Sequence, residues 1–163
     1  MKRIIFFFLA ITLVLSFCGC KGKPDSIEQP ASFYYLEANA EKNVFAAEIR
    51  ETKQFSNDLQ AIADDYFSGP TGDAYVNVFP ADLHTVSVGI LDGKLILTVS
   101  DELSLLSGLD LSIACACMGM TLLVITECTQ IEILTQTQPL DGKSSIHLTL
   151  DDLYLLDTTL SAG

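Results

Sequence analysis

Positive charge is scarce in this chain. Nine lysines and arginines stand against 21 aspartates and glutamates, giving a formal net charge of −12, and removal of Lys2 and Arg3 with an N-terminal signal takes it to −14. Past residue 31 the basic residues are Lys42, Arg50, Lys53, Lys94 and Lys143, which form no cluster. Nucleic-acid binding needs a basic footprint to displace counterions, so a nucleic-acid partner is excluded. An acidic surface mainly confers solubility and favours basic or cation-rich surroundings.

Histidine is scarcer still. His84 opens a predicted hairpin strand and His147 alternates with apolar neighbours, so both read as solvent-facing strand residues. No His-Glu-x-x-His run or Gly-x-Ser-x-Gly elbow is present, and Gly69-Pro70-Thr71-Gly72-Asp73 lacks the Gly-Lys-Ser/Thr of a phosphate loop. Ser100-Asp101-Glu102 follows a strand end. With no histidine expected near it, Ser100 reads as a turn cap with acidic residues at the N-terminal end. A hydrolase built around Ser100 is the enzymatic alternative. The acidic pairs Asp64-Asp65 and Asp151-Asp152 lack the alternating oxygens and glycine bend of a calcium loop and read as solvated faces. No catalytic residue, metal or cofactor is expected.

Cysteine is limited to five residues: Cys18, Cys20, Cys115, Cys117 and Cys128. Residues two apart on a helix point to nearly opposite sides, so Cys115 and Cys117 do not bond each other. Without a nearby histidine they make a poor zinc site. They read as small core residues, with a disulfide from one of them to Cys128 left open by an oxidising compartment.

What is abundant stands at the N-terminus. Met1-Lys2-Arg3 precedes an uncharged run from Ile4 to Phe17, the charge and length pattern of a signal peptide. A membrane span needs ~20 apolar residues, and this run breaks at Cys18-Gly19-Cys20-Lys21. Phe17-Cys18-Gly19-Cys20 resembles a bacterial lipoprotein signal, with Gly19 as the small residue before the modified cysteine. Cys20 is the favoured lipid acceptor and Cys18 the alternative, disfavoured by bulky Phe17 immediately before it. Ordinary secretion with cleavage nearby is the other reading. Acyl chains on Cys20 supply the multiple apolar anchors that stable attachment requires. The expected division is a signal at 1–19, a lipid-anchored flexible tether at 20–31, a folded domain at 32–157 and a tail at 158–163.

Within the domain, Phe33-Tyr34-Tyr35-Leu36 and Val44–Ile49 read as two strands around a turn at Asn39–Asn43. Phe55, Leu59, Ile62 and Tyr66 form a helical stripe, with Asn57 and Gln60 as a capping pair and Gly69-Pro70 as a stop. Asp92-Gly93 predicts a type I′ hairpin. Its register pairs Leu91 with Lys94, Ile90 with Leu95, Val88 with Leu97 and Val86 with Val99, burying the last three pairs on one face. Leu111–Thr126 carries no charge. With Asp110 as its cap and Ile113, Cys117, Met120 and Val124 as a stripe, it reads as the main core helix, a second membrane segment being the alternative. Thr129–Thr135 reads as a strand, Asp141-Gly142 as a turn, and Ile146, Leu148 and Leu150 as a last strand. The order β-β-α-β-β-α-β plus a C-terminal strand describes an α+β single domain: a mixed or antiparallel sheet with two helices on one face.

From Phe33 to Leu134 the chain resembles the GerMN domain of sporulation and germination proteins and related lipoproteins. The resemblance rests on the Tyr34-Tyr35 strand followed by a strand ending at Ile49-Arg50, the helix ending in Gly69-Pro70, the hairpin ending in Leu97-Thr98-Val99-Ser100, and the helix that precedes Ile131-Glu132-Ile133-Leu134. Thr98 stands where the family usually has Asp. The resemblance implies a fold similar to ring-building modules, which pack against other proteins and turn over no substrate. It therefore implies a non-enzymatic module on the outer face of the cytoplasmic membrane, with envelope proteins, wall material, the membrane through its anchor, or further copies of itself as partners, and a link to sporulation or germination. The alternative is a small solute- or wall-binding lipoprotein.

Overall fold

The computed structural model describes residues 30–51 and 58–153. Strand β1 (Pro30–Glu37) pairs antiparallel with β2 (Phe45–Glu51), and the short β3 (Tyr75–Val76) adds to the other side of β1 at Leu36 and Glu37. Strands β4 (Thr85–Leu91), β5 (Lys94–Val99), β6 (Gln130–Thr135) and β7 (Ile146–Thr149) form a second sheet in that spatial order. The strands thus divide into two sheets, where the sequence suggested one. Two residues are too few to show any periodicity, so β3 has no sequence signal of its own.

Helix α1 (Leu59–Phe67) starts at Asp58, whose Oδ1 accepts from the backbone N–H groups of Gln60 and Ala61 at 3.1 and 3.2 Å. The cap is therefore Asp58 and not Asn57; Asn57 and Phe55 lie outside the described residues. Gly69 ends the helix with φ +100°, a conformation open to glycine.

Helix α2 (Gly108–Thr126) connects the parallel strands β5 and β6, a join that needs a crossover of this length. It packs against β1 of one sheet and against β6 and β7 of the other, so it is buried on most sides. It is long and apolar enough to cross a membrane, but 61% of its most apolar 18-residue window is buried inside the domain. The expected stripe holds for Ile113 and Cys117, while Val124 is exposed. The helix begins after Ser107 without a side-chain cap; Asp110 sits in the first turn, and Asp141 Oδ2 accepts from the Gly108 N–H at 2.9 Å.

The hairpin turn is as expected at Leu91–Lys94, Ile90–Leu95 and Val88–Leu97, and Leu95, Leu97 and Val99 are fully buried. Between Thr85 and Ser87 a bulge shifts the register, so Val99 faces Thr85 instead of Val86. The bulge turns Thr85 inward and sends its N–H to Asp64 Oδ1 on α1 at 2.8 Å. Ile90, expected in the core, is 54% exposed on what is an edge strand. Leu150, expected to extend the last strand, instead begins a helical turn at 150–153, where Asp152 Oδ2 accepts from the Thr149 N–H.

Candidate functional site

The most concentrated polar chemistry lies where β2 meets α1, and it centres on Arg50. The β2 alternation turns Phe45, Ala47 and Ile49 one way and Ala46, Glu48 and Arg50 the other. Arg50 is therefore delivered beside Phe33 and Tyr35, which are buried on the facing stretch of β1. Its side chain is 11% exposed. Its Nε donates to Glu48 Oε2 at 2.7 Å, one terminal nitrogen donates to Asp65 Oδ2 at 3.1 Å, and the other donates to the Tyr35 hydroxyl at 2.9 Å and the Gly69 carbonyl at 2.7 Å. The guanidinium carbon lies 4.8 Å from the Phe33 ring centroid.

Glu48 completes the arrangement. Its Oε1 accepts from the Thr71 N–H at 2.9 Å, the Thr71 hydroxyl at 2.5 Å and the Gly72 N–H at 3.0 Å. Burial alone would raise its pKa, but the hydrogen bonds from Thr71 and Arg50 together hold it below the usual glutamate value. All three guanidinium nitrogens and both carboxylate oxygens are thus engaged by the protein itself. The site fixes the Gly69–Gly72 loop and the end of α1 onto β2, and the charges of Arg50 and Glu48 are paired within the domain. Sequence reasoning missed it because one arginine without a neighbouring cluster carries no local signal. The β2 alternation, placing Glu48 and Arg50 on the core side of Phe33 and Tyr35, was the available clue.

Ser100 does meet a histidine, though not through its ring. The His84 N–H donates to Ser100 Oγ at 3.2 Å and the Ser100 N–H donates to the His84 carbonyl at 3.0 Å, while His84 Nδ1 lies 3.0 Å from the Asp82 carbonyl. The expectation of no histidine near Ser100 is corrected to a backbone contact made by pairing at the base of the hairpin. Ser100 is buried, and its hydroxyl holds the neighbouring Glu102 carboxyl below the usual range. Among the described residues no imidazole nitrogen lies within hydrogen-bond distance of the Ser100 hydroxyl to take its proton. Thr85 Oγ1 and Glu102 Oε2, in the same region, are buried without a hydrogen-bond partner among the described residues.

His147 is exposed as expected, with Nε2 3.0 Å from Ser145 Oγ and 3.4 Å from Glu132 Oε1. Lys94 Nζ lies 2.6 Å from Glu132 Oε2 across the strands. Asp64 and Asp65 are more than a solvated pair, since they hold Thr85 and Arg50 respectively. Cys115, Cys117 and Cys128 are free and buried. Among the described residues no group of three or more His, Cys, Asp or Glu side chains is placed to hold a metal ion. Cys18 and Cys20 lie outside the described residues.

No family model matches the sequence, and no curated protein matches it. Solved structures do match the fold. The first GerMN domain of the sporulation protein GerM from Bacillus subtilis superposes with a TM-score of 0.62 at 17% identity, covering 76% of this chain and 99% of that one. The tandem GerMN domains of the same protein give 0.56 at 17% identity, covering 72% of this chain and 43% of theirs, so this chain spans less than half of the tandem structure. A Clostridium perfringens protein named as a candidate lipoprotein gives 0.50 at 18% identity, covering 77% of this chain and 89% of that one. The described residues therefore form an α+β domain with the GerMN fold.

Proposed function

We propose that this protein is a non-enzymatic interaction module of GerMN type, held by a lipid on the outer face of the cytoplasmic membrane. The observation that carries the reading is the GerMN fold, which stands behind a Phe17-Cys18-Gly19-Cys20 sequence that resembles a lipoprotein signal. The engagement of Arg50, Glu48 and Ser100 in fastening the domain's own elements supports reading these groups as structural instead of catalytic. Envelope proteins or wall material are the partners, self-association is one form the assembly can take, and sporulation or germination is the process the fold neighbours suggest.

The test is metabolic labelling with a clickable fatty acid in wild type, Cys20→Ala and Cys18→Ala cells. Loss of label and of membrane fractionation in Cys20→Ala alone is expected. Release of unlabelled wild-type protein would replace the anchored module with a freely secreted one. Turnover of wall fragments or esters by wild type, lost in Ser100→Ala, would revive the hydrolase.

A further inference from the structure

The second sheet ends on one side at β4, whose sequence Thr85-Val86-Ser87-Val88-Gly89-Ile90-Leu91 has neither a charge nor a proline. Natural edge strands are usually guarded by such residues, by covering elements or by shortness. Among the other described edge strands, β2 carries Glu48, Arg50 and Glu51, and β7 is four residues long. The two-residue turn at Asp92-Gly93 makes Leu91 and Lys94 a hydrogen-bonded pair, so alternation points the N–H and C=O groups of Val88 and Ile90 away from β5. At Thr85 the outward N–H is taken by Asp64. Beyond the bulge no described group takes the outward N–H groups of Val88 and Ile90. Gly89 between them would meet nothing within 4 Å if it carried a Cβ, and Ile90 and Leu91 are 54% and 60% exposed. A strand-interior glycine often marks close approach of another backbone.

We propose that the open edge of β4 takes up an extended apolar segment with basic ends, supplied by another protein, as a fifth strand of the sheet. The inference rests on the interaction-module reading and names its surface. Backbone pairing supplies attachment, and Ile90 and Leu91 offer apolar contact on the two faces. Charge selects the occupant. Asp92 stands at one end of β4, and Asp82 and Asp64 stand at the other. A second copy paired antiparallel through β4 would bring Asp92 against those carboxylates in a chain of net charge −12. Lysine or arginine at both ends of the incoming strand would instead meet opposite charge.

The probe is a synthetic peptide of alternating valine and threonine with two lysines at each end, added to the full chain in detergent micelles. Residue-resolved hydrogen exchange should slow at Val88 and Ile90, and a glutamate-ended peptide should bind about tenfold more weakly. Ile90→Lys should abolish the lysine-peptide effect while leaving exchange in β5 unchanged, which shows the hairpin intact. Absence of binding, equal binding of both peptides, protection elsewhere, or concentration-dependent protection of β4 without peptide would each overturn the proposal. Fatty-acid labelling reports separately on the anchor, so binding at β4 with no lipid on Cys20 would leave the edge standing and remove the anchored module.

Discussion

The hydroxyl of Tyr35 donates to the backbone carbonyl of Tyr66 at 2.9 Å, and the hydroxyl of Tyr66 donates back to the carbonyl of Tyr34 at 2.6 Å, with the two rings 5.2 Å apart. The Tyr34 N–H donates in turn to Thr121 Oγ1 on α2 at 2.8 Å. This stretch of β1 lies beyond its pairing with β3, and side chains of the two helices satisfy the backbone there. Tyr66→Phe leaves the Tyr34 carbonyl without its partner inside the protein. We expect a loss of ~1–3 kcal/mol in urea unfolding. A loss below ~0.5 kcal/mol would show that water reaches the carbonyl.

Arg50 is the shared partner of β2, the Tyr35 hydroxyl and the end of α1. Arg50→Met leaves Glu48 buried without its counter-charge and should cost about 3–5 kcal/mol. Arg50→Lys keeps the charge but cannot reproduce the planar fork, so it should fall between wild type and Arg50→Met. Equal stability of the arginine and lysine forms would overturn the assignment of Arg50 as the fastening residue.

Most of the fold was legible because long elements carry long patterns. The hairpin followed from Asp92-Gly93, and β6 from the alternation of Ile131 and Ile133. Three features escaped for physical reasons. The bulge at Thr85 brings its N–H to Asp64, 21 residues away, a contact that no local pattern displays. The division into two sheets depends on how α2 packs against both, and its sequence is apolar on nearly every side. The Arg50 centre draws on β1, β2, α1 and the loop that follows it, so no window of sequence contains it. The proposed lipid anchor is the reverse case, an expectation drawn from residues 17–20 alone, which lie outside the described residues.

Glu48 gives the domain a defined acid sensitivity. Its folded pKa lies below the ordinary value of 4.5, so its contribution is fully present above that value and is lost as pH falls through the lower folded one. The melting temperature of wild type should decline below pH 4.5, and Glu48→Gln should be less stable at neutral pH with a shallower acid decline. Parallel curves for the two proteins would assign the acid sensitivity to other carboxylates.

Burial pushes the Cys115 thiol up to about 12 and raises Cys117 as well. Thiolate is the reacting species, so iodoacetamide should leave both unmodified in the folded protein and label both in urea. Because Cys115, Cys117 and Cys128 are free, a reductant should not change the melting temperature. A drop in melting temperature with reductant would reveal a disulfide involving Cys128.

Gly69 combines two constraints that can be separated. Its φ is +100°, and an added Cβ would lie 2.8 Å from Asn77 Nδ2. Asn77 Oδ1 accepts from the Phe79 N–H at 3.1 Å, so a displaced Asn77 loosens the turn behind α1. Gly93 shares a positive φ, +75°, but its Cβ would meet nothing within 4 Å. Gly93→Ala should therefore show backbone strain alone, about 1 kcal/mol. Gly69→Ala should cost about 2 kcal/mol or more, through strain and displacement together. Equal losses in denaturant unfolding would mean that Asn77 moves aside freely, and that the stop of α1 needs only the left-handed conformation.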